Sequence, residues 1–424
     1  MSRLEQLVED YATEPVPESA TYSGWRIGFV LGGIGIALPA ILAGAEIGSA
    51  LGYAQSALAF LVAGLLVTTL ALVTGFVGMR SRLSTYMILK FAFGPVGAGF
   101  VNAAFALAQF GWFGVNAYYF GLAAESAAVS TLGLALPASA YVISGGVLMA
   151  AATVFGYKSL DKLALFAFPL MLTVLAAMLA SLFSDATLAE LLALDGSGDL
   201  TFAQAITVLA GGIIVGVVLV PDLTRYARGT VDVVIAVLLA LALVETLIHV
   251  AAAGPALRFG VQDPLAILLR LGFGSFALLF LISASLTTNV VNLYGSALAL
   301  TAIQPRLPEW VYVILAGTVG TILALFDVGA WFIDFLIWQS VIFSAVLGVY
   351  VVDFFVVRRA RYELALLATL PPVSLPAFAA WITGATVAAL CYLELLTLTG
   401  MANLDGALVA GGCYALFERG IASR

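Results

Sequence analysis

Long apolar runs separated by short polar links recur from the first third of the chain to its end. A helix needs about 20 predominantly apolar residues to cross the hydrocarbon core of a bilayer. On that measure spans fall near Trp25–Gly48, Ala57–Met79, Val96–Ala123, Ser139–Gly156, Leu163–Leu182 and Ala203–Val220. The second half adds Val231–Ala253, Phe276–Ile303, Val311–Phe326, Trp331–Val357, Ala377–Leu396 and Leu408–Phe417. The pattern predicts an all-α polytopic membrane protein of about twelve transmembrane helices. Residues 1–24 form a polar tail, 25–182 a first set of five spans, 203–357 a second set, and 377–417 two additional spans. The stretch Arg80–Phe93 is too charged to span and reads as an amphipathic helix at the membrane surface.

Charge gives the spans a direction. With the N-terminus inside, all but two of the 17 Lys and Arg residues fall on the cytoplasmic side. They are Arg80, Arg82 and Lys90, then Lys158 and Lys162, Arg225 and Arg228, Arg306, and Arg358, Arg359 and Arg361. Arg3, Arg26, Arg419 and Arg424 flank the termini, and only Arg258 and Arg270 lie outside. The opposite loop at Ser184–Leu200 carries Asp185, Glu190, Asp195 and Asp199. This is the positive-inside pattern, and it predicts two cytoplasmic termini. The first residues lack an apolar signal-peptide core, so the first span is expected to direct insertion.

Composition agrees and narrows the function. The chain is 63% hydrophobic and 10% charged, against about 25% charged for a soluble domain. With one histidine, and with Cys391 and Cys413 in apolar stretches, there is no metal-ligand spacing and no disulfide framework. No nucleophile or metal cluster points to an enzyme. No nucleic-acid partner and no cofactor are expected, and a monomer in lipid is.

Two spans carry helix-breaking clusters at matching places in the two halves. The first has Gly32, Gly33, Gly35 and Pro39; the sixth has Gly211, Gly212, Gly216 and Pro221. Glycine and proline weaken a helix by roughly 1 and 3 kcal/mol each. A break in lipid must line a protein cavity, and paired breaks mark a midplane binding site in an inverted-repeat transporter. The competing explanation is close helix packing through glycine.

Polar side chains inside the spans suggest what is bound. Gln109, Trp112 and Asn116 share one face of the third span. Trp112 can stack on a flat ring and Gln109 can read its edge, although such amides also tie helices together. In the eighth span Thr287 and Thr288 offer adjacent hydroxyls, and Asn289 and Asn292 add amides. Hydroxyls with freed carbonyls suit a hard cation such as Na⁺. Glu245 and His249, four residues apart in the seventh span, read as a structural hydrogen-bonded pair or as a proton relay.

The stretches PVPESATYSGWRIGFV, GMRSRLSTYMILKFAFGPVGAGFV, QFGWFGVNAYYFG, PDLTRYAR, TTNVVNLYGSAL and DFFVVRRARYE resemble bacterial cytosine permeases. Through them the chain is similar to the nucleobase–cation symporter family of cytosine, purine, allantoin and hydantoin permeases. The resemblance implies a leucine-transporter-like fold, two inverted five-helix repeats plus two C-terminal helices, working by alternating access. It places the substrate against Gln109, Trp112 and Asn289 and the stretch of the sixth span that holds Gly212, Ile213 and Val215; Asn116 and Asn292, from their spacing on the third and eighth spans, complete the expected substrate site. It places a coupling Na⁺ on carbonyls of Gly33, Ile36 and Ala284 and on the hydroxyls of Thr287 and Thr288. Where cytosine permeases offer a second aromatic and a serine, this chain has Ile213 and Val215, and Ser344-Ala345 replaces a Pro-Pro pair. An apolar wall discriminates weakly between rings. The expected function is therefore secondary active import of a nucleobase or related flat heterocycle by Na⁺ symport. The alternatives are an H⁺-coupled permease for allantoin, a hydantoin or a thiamine-precursor pyrimidine, and a non-transporting nutrient sensor.

Overall fold

The computed structural model describes residues 11, 13–154, 157–184, 186–326, 328 and 331–422, with backbone alone at 127, 130–132, 157–166, 275, 278 and 420–422. Arg3, Arg424, Asp185 and Asp327 therefore lie outside the described residues, as do the side chains of Lys158 and Lys162.

The helices follow the apolar runs. The first span is two helices, α1 (Gly24–Gly35) and α2 (Leu38–Leu51), bent by 57°. Then come α3 (Tyr53–Ser81), α4 (Thr85–Phe93), α5 (Gly97–Leu132), α6 (Ala138–Thr153) and α7 (Tyr157–Ser184). A short α8 (Leu188–Leu192) crosses the acidic loop. The second set comprises α9 (Phe202–Leu219) with the turn α10 (Pro221–Thr224), then α11 (Thr230–Val237), which passes through a π-helical stretch, Leu238–Glu245, into α12 (Thr246–Phe259). After α13 (Pro264–Arg270) come α14 (Ser275–Ile303), α15 (Glu309–Leu323) and α16 (Phe332–Val352), which ends in a π-helical turn. Helices α17 (Leu375–Tyr392) and α18 (Ala402–Ala422) complete the chain. Eight described helices are long and apolar enough to cross a membrane alone, and the bent pair makes a ninth. With the shorter apolar α6 and α15 and with α18, the fold is the expected multi-pass bundle of about twelve spans. Among the described residues there is no β-strand, only one isolated bridge between Tyr22 and Ala227.

Lipid is as apolar as leucine, so helices in it associate through close packing and hydrogen bonds. Gly44 and Gly48, one turn apart on α2, let that helix approach α12: a methyl on either would lie 2.8 Å from His249 Cα or 2.6 Å from Ala253 Cβ. The outward faces carry exposed Leu58, Leu61, Leu65, Phe100 and Leu107, as lipid requires.

Four elements differ from the expectation. Helix α18 begins at Ala402 rather than Leu408, because Asn403 and Asp405 are buried against partners: Asn403 Nδ2 donates to the Ser340 hydroxyl, and Asp405 accepts from the Thr399 amide (3.1 Å) and hydroxyl (2.6 Å). Helix α5 runs to Leu132, past the apolar stretch that ended at Ala123. The expected surface helix at Arg80–Phe93 is instead the end of α3 followed by α4, whose residues are buried except Lys90. Burial lowers the Lys90 ammonium from its usual value. Finally, the sixth span does not break at its glycines: α9 is continuous to Leu219. Thr201 and Gln204 form a capping box at its start. Gly211 brings it against α16, where a methyl would lie 2.5 Å from the Leu336 carbonyl oxygen. Close packing, not unwinding, accounts for Gly211.

On the acidic side, the Thr187 amide and hydroxyl donate to Glu190 (2.8 and 2.9 Å) and hold its carboxyl below the usual range. The loop that follows is pinned to the first span through Ser197 N to Ser49 O (2.9 Å) and Gly198 N to Ala50 O (2.8 Å).

Candidate functional site

The break in the first span redirects backbone bonds at particular carbonyls. Ile36 leaves helical geometry (ψ 71°) and Ala37 is extended (ψ 161°). The Ala37 amide turns to the Gly35 carbonyl (3.0 Å) and the Ala40 amide to that of Ala37 (3.1 Å). In a regular helix those amides would serve the carbonyls of Gly33 and Ile36. Both carbonyls are thereby released for another partner.

Helix α14 passes beside this break. A methyl on Gly33 would lie 3.3 Å from Thr287 Cγ2. The Thr287 hydroxyl donates to the Ser283 carbonyl (2.8 Å), which keeps its oxygen lone pairs available. The Thr288 hydroxyl is buried and has no hydrogen-bond partner among the described residues. Ala284 is fully buried one turn earlier on the same unbroken helix. The break and α14 thus meet at Gly33 and Thr287, and backbone carbonyls and hydroxyls are the neutral oxygens that a hard cation accepts.

A cavity of about 160 Å³ opens next to the break. On a scale where one water needs roughly 10–15 Å³, it has room for a small ring with water. Its walls include Gln109, Trp112, Asn116, Gly212, Ile213, Val215, Thr288 and Asn292. Trp112 is fixed in orientation: its indole N–H donates to Gln339 Oε1 of α16 (2.8 Å), and Phe332 and Phe335 meet it edge-on at 6.2 and 5.5 Å. The Gln109 amide lies over Gly295, where a methyl would sit 2.5 Å from its Nε2. Asn116 donates to the Trp112 carbonyl (2.9 Å), and its Oδ1 is unpaired among the described residues.

Asn289 does not belong to these walls. It is fully buried and directed away from the cavity, donating to the Phe113 carbonyl (3.2 Å) and lying 3.1 Å from Met149 Sδ. Its Oδ1 accepts from Asn292 Nδ2 (3.1 Å), so it orients the residue that does line the cavity. Three positions along a helix leave a difference of roughly 60° about the axis, and that turns Asn289 into the interface with α5 and α6.

Other residues support or complete the walls. Gln339, which holds Trp112 from behind, was not singled out from the sequence, although a glutamine in an apolar span is a recognisable signal. Glu245 and His249, read mainly as structural, both face the cavity. The Asp222 carboxyl reaches its floor and accepts from the Thr85 amide at the start of α4 (2.7 Å). Below it the arginine-rich end of the bundle is fastened by Arg225, which is fully buried. Arg225 donates to the carbonyls of Tyr11 (2.7 Å) and Asp222 (3.1 Å) and to the hydroxyls of Tyr294 (2.9 Å) and Tyr226 (3.3 Å). Asp353, fully buried in the π-helical turn that ends α16, pairs with Arg358 (3.5 Å) and accepts from Tyr362 and Tyr414.

Known proteins share this fold. The fold matches Mhp1, a nucleobase-cation-symport-1 family transporter, in a closed conformation with bromovinylhydantoin bound. The TM-score is 0.88 at 19% identity, over 98% of this chain and 96% of that one. It also matches a Na⁺-coupled sialic acid symporter with a TM-score of 0.68 at 10% identity, over 95% and 90% of the two chains. In sequence, the cytosine permease of Escherichia coli O157:H7 is 27% identical over 355 residues, 84% of this chain and 83% of that protein. That of Escherichia coli K12 is 26% identical over the same length. The model of the family described as permeases for cytosine/purines, uracil, thiamine and allantoin matches residues 15–407. The chain is thus a multi-pass membrane transporter, not an enzyme, with the leucine-transporter-like fold, and it belongs to the cytosine/purine permease family.

Proposed function

We propose that this permease imports a nucleobase-like flat heterocycle by Na⁺ symport through alternating access. The observation that carries the reading is the junction of two features at one break. Gly33, whose carbonyl the break releases, packs against Thr287, next to the unpaired Thr288 hydroxyl, and the break residues Ile34, Gly35 and Ala37 line the same cavity as Thr288, Trp112 and Gln109. Na⁺ on the oxygen cluster, with Ala284 completing it, orders the broken backbone and so prepares the wall of the cavity. The ring stacks on Trp112, with Gln109, Asn116 and Asn292 at its edges and Gly212, Ile213 and Val215 opposite. By linkage the ring raises Na⁺ affinity by the factor by which Na⁺ raises its own. Residues 25–182 and 203–357 act as the two inverted repeats, with 377–417 outside them. The chain sits as a monomer in a bacterial inner membrane with both termini in the cytoplasm. The names of the relatives support this choice of substrate and ion: cytosine permeases on one side, a nucleobase-cation symporter and a Na⁺-coupled symporter on the other.

The test is uptake of radiolabelled nucleobases into proteoliposomes with and without an imposed Na⁺ gradient. Accumulation that follows the Na⁺ gradient is expected. Accumulation that ignores Na⁺ and follows a pH gradient would transfer the coupling to H⁺, and binding without accumulation would make the protein a sensor.

A further inference from the structure

A second pocket lies at the arginine-rich end of the bundle and shares no lining residue with the cavity at the break. Its volume is about 390 Å³, more than twice that of the cavity. It is enclosed by the last turn of α4, the link 370–376 that leads into α17, and the end of α18. Backbone bonds tie these walls together. The Val96 and Gly97 amides donate to the Pro372 carbonyl (2.9 and 3.0 Å), and the Ser374 amide donates to the Phe93 carbonyl (2.9 Å).

Two opposite charges line the pocket, Arg358 and Glu418. Arg358 is held from behind: its Nε lies 3.5 Å from Asp353, which accepts from Tyr362 (2.7 Å) and Tyr414 (2.8 Å). Phe91 of the pocket wall stacks on Tyr362 at 4.1 Å and steadies that cluster. The contact with Asp353 engages one of three guanidinium nitrogens, and the side chain remains 26% exposed. The guanidinium can therefore keep Asp353 and present its fork to a phosphate. The rest of the wall is largely apolar, with Leu370, Val373 and Leu375. Leu375 is 75% exposed, and Leu416 and Phe417 are exposed on α18 beside Glu418. The pocket thus reaches the outer surface where charged groups give way to a lipid-facing wall.

We propose that this pocket holds a phospholipid with a phosphoethanolamine headgroup. Arg358 pairs with its phosphate, Glu418 accepts from its ammonium, and an acyl chain lies along Leu375. Charge decides between headgroups. Arg358, Asp353 and Glu418 together carry one net negative charge. An acidic lipid adds a second negative charge to the site, whereas a zwitterion adds none. A primary ammonium brings three N–H donors for Glu418, and a quaternary choline brings none. Arg359 and Arg361 are exposed nearby but do not line the pocket. They draw acidic lipids to the surface in general, and selection inside the pocket runs the other way.

Native mass spectrometry of the full chain, purified in detergent and stripped of lipid, tests the assignment. Phosphatidylethanolamine, phosphatidylglycerol and phosphatidylcholine with identical acyl chains are titrated separately. The wild type is expected to bind phosphatidylethanolamine roughly tenfold more tightly than either other lipid, the worth of one charge-assisted hydrogen bond. Glu418→Gln, at a partly exposed position near the end of α18, removes the carboxylate without touching the Asp353 cluster. It is expected to abolish the preference over phosphatidylglycerol. Equal binding of the three lipids by the wild type overturns the proposal, as does tighter binding of phosphatidylglycerol. So does a folded Glu418→Gln protein that keeps the wild-type ratio, because the selection then arises elsewhere on the surface. Soluble glycerophosphoethanolamine is the last arm. Binding as tight as that of the intact lipid would overturn the lipid assignment and leave a site for a free zwitterionic phosphodiester.

Discussion

Replacing Thr288 by valine changes one atom of a β-branched side chain, and the structure assigns opposite signs to its two consequences. Without Na⁺ the Thr288 hydroxyl is buried and unpaired among the described residues. An unsatisfied buried hydroxyl costs about 1–3 kcal/mol, so the valine variant should be as stable as the wild type or more stable by up to that amount. With Na⁺ the hydroxyl is one of the proposed ligands. At a Na⁺ concentration one hundred times Kd, binding stabilises the folded state by about 2.7 kcal/mol; a tenfold weaker site leaves about 1.4 kcal/mol. The neighbour is the control. Thr287 already donates to Ser283 O (2.8 Å), so Thr287→Val loses a made bond and should cost about 0.5–1.5 kcal/mol even without Na⁺. The assay is thermal unfolding in detergent, comparing NaCl with choline chloride at constant ionic strength. A Thr288→Val protein that is clearly destabilised in choline, or that keeps the full Na⁺-dependent gain, would refute the reasoning.

Other consequences are equally direct. Gln339→Leu removes the acceptor that holds the Trp112 indole; ligand affinity should fall roughly tenfold, in line with about 1–3 kcal/mol for a stranded buried donor, measured by equilibrium binding. Gly211→Ala should destabilise by about 1–3 kcal/mol because its methyl meets the Leu336 carbonyl of α16. Gly216→Ala, on the same helix with nothing within 4 Å, should be neutral or stabilise by about 0.5–1 kcal/mol; thermal unfolding separates the two, and equal effects would contradict the packing role. Arg225→Ala unfastens the arginine-rich end. In a Cys391→Ser, Cys413→Ser background it should raise several-fold the rate at which an aqueous thiol reagent labels a cysteine at Gly216; an unchanged rate would contradict the fastening role of Arg225.

The position of each residue relative to its neighbours explains which readings carried over. Hydropathy registers each span because a helix crossing lipid satisfies its own backbone and needs only length and apolarity. The break at Gly35–Leu38 was legible for a similar reason: Gly33, Gly35 and Pro39 act on local backbone bonds. The same residue types in α9 did not break the helix, because Gly211 found a partner surface on α16 that no local pattern reveals. Asn289 and Asn292 look equivalent along the chain, yet one meets Phe113 and Met149 and the other meets the cavity. Glu245 was visible as an ionisable group in a span, but its reach to Gly35 depends on the π-helical stretch and on the approach of α1.

The sequence by itself determined the class of molecule, the number and course of its spans, the kink of the first one, and the face of α5 that carries Gln109 and Trp112. Those properties rest on local backbone chemistry and on partition between water and lipid, which act on each segment alone. Only the tertiary structure decided which polar groups meet: Trp112 with Gln339, Gly33 with Thr287, Glu245 with Gly35 and His249. Such meetings are set by how helices distant in sequence pack together, and a polar group in a membrane is defined by the partner it finds there.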